Sequence, residues 1–131
     1  MKALLGKLLL QDDESVVLDM EAGVEHLGRG TAGFVNHLFI VTEPNINSID
    51  AAKKIWKLAK DLKIKEASVI VNKVRKDKDI DFIKENIAEI PITGSVSFEE
   101  KLLEPDIDIE KTSVYKQVAG IEEKFLNTQT Y

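Results

Sequence analysis

Asp19-Met20-Glu21-Ala22-Gly23 follows directly on the apolar run Val16-Val17-Leu18. A carboxylate at the carboxyl end of a buried strand stands where open α/β sheets bind their ligands. An aspartate there can hold Mg²⁺ through water, and a following glycine lets a backbone N–H come close to a phosphate. The same residues are compatible with a loop that merely turns the chain. That loop continues as Glu25-His26-Leu27-Gly28-Arg29-Gly30-Thr31-Ala32. An unperturbed imidazole titrates near physiological pH, so His26 could relay protons or position a partner at the loop. A structural hydrogen bond is its alternative. Arg29 could clamp a phosphate or an acidic partner, or pair with Glu25. A small-molecule enzyme built around Asp19, Glu21 and His26 is a further option from another class. His37 opens an apolar strand and reads as structural.

These residues need elements to hold them. Leu4, Leu5, Leu8 and Leu9 recur at helical spacing, which predicts a short amphipathic helix over 2–10. Val16-Val17-Leu18 suits a buried parallel strand, taken as 16–20. Residues 20–30 read as a loop and 29–36 as a short helix. Strands are predicted at 37–42, 67–71 and 90–96. A long helix over 49–63, capped by Asn47 or Ser48, carries the stripe Ile49, Ala52, Ile55, Trp56, Ala59 and Leu62. A helix over 79–88 turns Ile80, Ile83 and Ile87 inward. A last helix does so with Val114, Val118, Ile121 and Phe125. Strands alternating with helices predict one α/β domain over 1–131, a parallel sheet of about four strands flanked by helices.

Composition excludes several classes. The net charge of −5 over 131 residues argues against a general nucleic-acid binder. The basic stretch from Lys53 to Lys78 lacks interleaved aromatics and reads as a solvated face. No cysteine is present, which removes disulfides, thiolate metal sites and cysteine nucleophiles together. His26 and His37 are too few for a histidine-built metal site without carboxylate help. No apolar run approaches the roughly 20 residues that span a bilayer, and acidic residues follow the apolar start. The expectation is a cytoplasmic protein without a membrane partner. The last helix carries Lys116, Gln117, Glu122, Glu123 and Lys124 on its polar face, which is not the basic face of a membrane-surface helix.

The string DMEAGVEHLGRGTA, the strand ending in Glu43-Pro44, the long helix, and the strand ending in Asn72-Lys73 follow one another as in MinD-like P-loop ATPases. The string itself most resembles the CooC type, the ATPases that assist nickel insertion into carbon monoxide dehydrogenase. The resemblance runs from about Leu4 to the region after Pro91. It implies ATP or ADP and Mg²⁺ as cofactors, and carbon monoxide dehydrogenase or a related nickel enzyme as partner. Asp19 would match the aspartate that organises Mg²⁺ and its waters, and Gly23 the switch glycine whose amide senses the γ-phosphate. Glu25, His26 and Arg29 would belong to the switch or partner surface. Asn72 would match the asparagine that hydrogen-bonds the base, with Lys73 packing beside it; its alternative is a strand-end turn residue. Pro91 and Ile92, with the segment to Ser95, would line the base pocket. In GTPases of this architecture a carboxylate two residues beyond the lysine reads guanine's N–H donors. Arg75 stands there and has donors only, so adenine is the expected base.

One part of the family pattern is missing. Complete relatives begin with a strand and a glycine-rich loop ending in lysine and serine or threonine, whose N–H groups cradle the phosphates. The glycines at 6, 23, 28, 30, 33, 94 and 120 form no such loop. The Cys-X-Cys nickel motif of the CooC type is also missing, so no nickel site is expected here. The expectation is therefore a partial P-loop fold lacking the Walker A strand and loop. It would be the C-terminal switch and base-recognition half, inactive alone. The alternative is a non-catalytic interaction module that docks to a metalloenzyme or to a separate N-terminal half. With the intervening strand missing, unpaired groups on its two neighbours would cost about 1–3 kcal/mol each. This predicts direct parallel pairing of 16–20 with 37–42, and a homodimer through open edges.

Overall fold

The computed structural model describes residues 15–20, 33 and 35–128. Three strands, β1 (His37–Thr42), β2 (Glu66–Val74) and β3 (Ile92–Ser97), form a parallel sheet in the order β1-β2-β3. Helix α1 (Ile46–Asp61) connects β1 to β2, and α2 (Asp77–Asn86) connects β2 to β3. Two 3₁₀ turns, Glu100–Leu103 and Ile109–Lys111, lead into α3 (Ser113–Thr128). Strands taken in chain order, each joined by a right-handed crossover, put both connecting helices on one face.

That face holds the main core. Ile40 of β1 and Val69 and Val71 of β2 pack with Ile49 and Ala52 of α1, Ile83 of α2, and Ile87 and Ile90 beyond it. Side chains alternate across a strand, so the neighbouring residues face α3 instead. Phe125 of α3 meets Phe39 edge-on with ring centroids 4.9 Å apart, and meets His37 at 4.8 Å. His37 links Glu66 (Nδ1 to Oε2, 3.2 Å) to the buried Ser68 (Nε2 to Oγ, 2.9 Å), to which Thr93 donates. The structural reading of His37 holds. Gly94 admits Ile121: a Cβ there would stand 2.6 Å from Ile121 Cγ1, so α3 lies against β3 because the strand has no side chain at that point.

Several expectations need correction. Residues 16–20 form no strand and do not pair with 37–42; among the described residues the sheet has three strands. Val16, Val17 and Leu18 are 46%, 92% and 38% exposed. A parallel strand is stable only through a neighbour's ladder, and none of the three strands pairs with this segment. The cap of α1 is Asn45, whose Oδ1 accepts from Ser48 N at 2.9 Å. Ser48 Oγ is used otherwise, accepting from Thr42 Oγ1 and Glu43 N. Val118 is half exposed, and the sheet side of α3 takes Gln117 in its place. Gln117 Oε1 accepts from Ser97 N at 2.8 Å, a donor at the end of an edge strand that an apolar side chain would leave unmet. The helix predicted over 2–10 lies outside the described residues, as does most of that over 29–36; Val35 and Asn36 are not helical. Lys53, Lys54, Lys57 and Lys60 of the basic stretch are exposed, as a solvated face requires.

Candidate nucleotide-base site

All three strands run the same way, so their carboxyl ends gather Glu43 and Pro44, residues 72–75, and residues 97–99 along one rim. The middle segment is irregular. The pairing of β2 with β3 shifts register between Val71 and Val74, and Lys73 sits in the left-handed region with φ of 57°. That conformation is uncommon for a residue with a Cβ. It is supported locally, because Asn72 Oδ1 accepts from Lys73 N at 2.9 Å. It also brings Lys73 Nζ to 2.6 Å from Glu43 Oε1, tying the ends of β1 and β2 together. Asn72 keeps an amide NH₂ and a second oxygen lone pair, the complementary pair of groups that a base edge requires.

Next along the rim, Asp79 Oδ2 accepts from Arg75 N at 2.8 Å and Lys76 N at 3.2 Å. This caps the first turn of α2, where a negative charge is favoured by the helix dipole. Phe98 N donates to Val74 O at 2.8 Å, which extends the β2–β3 ladder by one residue. The Arg75 guanidinium lies over the Phe98 ring, Cζ 3.8 Å from its centroid. Glu99 closes the rim. Its Oε2 accepts from Ser113 Oγ at 2.7 Å, Ser113 N at 3.0 Å and Val114 N at 3.3 Å, at the start of α3.

The Ser113 hydroxyl chiefly, helped by the two backbone N–H groups and Lys101, holds the Glu99 carboxyl below its ordinary value near 4.5. A depressed folded-state pKa means that its contribution is complete above the unfolded value. It is lost as pH falls through the lower folded one. Acidification through the range below pH 4.5 should therefore loosen the start of α3 before the sheet. In Glu99→Gln that early step should be missing, read from the Ser113 and Val114 amide signals against those of β2.

The sequence-derived candidates divide. Asn72 and Lys73 stand together on the rim. Pro91 and Ile92 do not join them, because they lie at the amino end of β3, where Val69 N donates to Pro91 O and Ile92 pairs with Val69. That is three residues before Asn72, about 10 Å along the strand. Ile92 packs on the core instead. The rule that ligands meet the carboxyl ends of strands, applied to β3, selects Ser97, Phe98 and Glu99, which the sequence reading missed. Asp19 is exposed in a segment without regular secondary structure. Gly23, Glu25, His26 and Arg29 lie outside the described residues, as does Glu21. Among the described residues no group of three His, Asp or Glu side chains could hold a metal ion. No helix described is long and apolar enough to cross a membrane. Among the described residues, Asn72 on the rim has the groups to meet a base edge, and Asp19 is the sequence-derived candidate for a metal.

Comparison with known proteins gives the chain's relatives. No family model matches the chain. It is 41% identical over 130 residues to an uncharacterized ATP-binding protein of Methanocaldococcus jannaschii, covering 97% of this chain and 50% of that protein. It is 39% identical over 105 residues to the carbon monoxide dehydrogenase accessory protein CooC of Rhodospirillum rubrum, covering 80% of this chain and 40% of CooC. The chain thus spans about half the length or less of these relatives. Among solved structures, the MinD cell division protein of Aquifex aeolicus matches with a TM-score of 0.64 at 21% identity, over 80% of this chain and 50% of MinD. The fold is the corresponding part of the P-loop architecture of MinD, and over the length it spans the chain is a homologue of the CooC-type, MinD-like ATP-binding proteins.

Proposed function

We propose that these residues are the switch and base-recognition portion of a CooC-like ATP-binding protein that assists nickel insertion into carbon monoxide dehydrogenase or a related nickel enzyme in the cytoplasm. The observation that carries this reading is Asn72 beside the Glu43–Lys73 pair at the carboxyl rim of a MinD-like sheet. Bound ATP would supply a transferable phosphoryl group, and Mg²⁺ would neutralise its charge. Of this chain's own residues, Asn72 would hydrogen-bond the base, and Glu43 would hold Lys73 alongside. Asp19 and Gly23 would take the metal-water and γ-phosphate roles, with Glu25, His26 and Arg29 on the switch surface. The whole 1–131 would act as one domain, completed by a phosphate-binding half. A cell producing carbon monoxide dehydrogenase at limiting nickel tests the maturation role. Removing the gene should leave that enzyme nickel-poor, and added nickel should restore it. Full nickel content in the deletion strain would discard the role.

A second reading, a non-catalytic module that docks to a metalloenzyme or to a separate N-terminal half, draws on another observation. The apolar run Val16–Leu18 is exposed, and β1 forms one edge of the described sheet with Val41 60% exposed. Strand edges of this kind invite pairing with another chain.

A further inference from the structure

We propose that residues 100–112 form a tied surface loop that docks a basic, amphipathic segment of another protein. This surface is independent of whether the rim binds a base. The two ends of the loop are held together, because the Glu99 carboxylate accepts from Ser113 Oγ, Ser113 N and Val114 N. At the neck, the buried Thr112 donates from Oγ1 to Ile109 O at 2.6 Å and accepts from Tyr115 N at 3.1 Å. The two 3₁₀ turns fix the backbone between: Leu102 N donates to Glu99 O, Glu104 N to Lys101 O and Lys111 N to Asp108 O. Compact loops closed at the neck in this way are frequently functional. This one keeps its apolar side chains outside. Leu103 is 77% exposed, Ile109 56% and Leu102 39%. Single exposed leucines are ordinary on a protein surface. Three on one tied loop, followed by the exposed Tyr115 on the first turn of α3, are not scattered singly. Charge then selects the partner. Glu100, Glu104, Asp106 and Glu110, all exposed, interleave with these residues along the loop, and Asp108 is paired with Lys111 at 2.7 Å. Such a surface repels nucleic acid and anionic membranes and favours a protein segment carrying Lys or Arg beside apolar residues. Two-fold pairing of the loop with itself would set like charges against each other, which argues against a second copy. Because the loop's shape is set before binding, docking costs it little ordering entropy.

The probe is a synthetic peptide with a leucine face and a lysine face at helical spacing, set against its counterpart with glutamate for lysine. Amide signals of the 131-residue chain are followed with each, for the wild type, Leu103→Ser and the double variant Glu104→Lys/Glu110→Lys. All three positions are exposed, so the β2 signals should stay unchanged and report an intact fold. The expected result is saturable binding of the lysine peptide that moves the Leu102, Leu103 and Ile109 signals and weakens as salt is added. The glutamate peptide should not bind. Each variant should lose about fivefold or more in affinity, the least that a contributing interface side chain is worth. No shift in the loop with the lysine peptide, or equal affinity in all three proteins, would overturn the docking surface. Loss in Leu103→Ser alone, or equal binding of the two peptides, would overturn the basic partner. Loop signals that move with protein concentration, without peptide, would put a second copy in that place and overturn it as well.

Discussion

Incubated with ATP and Mg²⁺, the purified 131-residue chain is expected to release no phosphate above the uncatalysed background. Phosphoryl transfer depends almost wholly on positioning and on neutralising the charge of the transferred group. Removing a single preorganised donor from an active site of this kind costs about 10²–10³ in rate. Here the complete row of loop N–H groups and the loop lysine are missing from the sequence, so the losses compound. The rim described above would orient a base far from the bond that breaks. It would contribute binding without acting on the transition state, which does not raise turnover. A sensitive phosphate-release assay on protein free of contaminating ATPases is the measurement. Turnover that Asp19→Ala abolishes would show that the chain builds a phosphate site by other means.

Ile83→Ala should destabilise the fold by about 2–5 kcal/mol, a large share of the roughly 5–15 kcal/mol that holds a domain together. Ile83 is the residue by which α2 enters the core, and it is fully buried among Val69, Val71, Ile87 and Ile90. Truncation removes its transfer free energy and leaves a cavity between a helix and the central strand, where neither can move without breaking the ladder. Urea unfolding followed by circular dichroism should show a lower midpoint with an unchanged slope. Leu103→Ala serves as the comparison. That leucine is 77% exposed, so its change should stay within about 0.5 kcal/mol. Equal effects of the two substitutions would mean that the α2 face is not the core.

The two predictions rest on different levels of the chain. The type of each element in the described sheet was legible in the sequence, because it depends on neighbours three, four or two residues away. The stripe Ile49, Ala52 and Ala59 is buried, as helical spacing requires. Ile83 and Ile87 turn inward, and the β-branched run of β2 lies at the sheet's centre. The position of Asn72 and Lys73 was legible for the same local reason: they end an apolar run, and the Lys73 N–H donates to the Asn72 side-chain Oδ1. The rest depended on partners distant in sequence. Val16-Val17-Leu18 has the composition of a strand, yet a strand exists only where another backbone accepts its ladder, and composition does not supply one. Gln117 faces the sheet in place of Val118 because Ser97, 20 residues earlier, presents a donor there. Phe98 reaches the rim, and Pro91 does not, because register along β2 decides which end of β3 meets Asn72. Periodicity is written into consecutive residues. Register, edge and rim are properties of chains laid side by side, and only the packed sheet decides them.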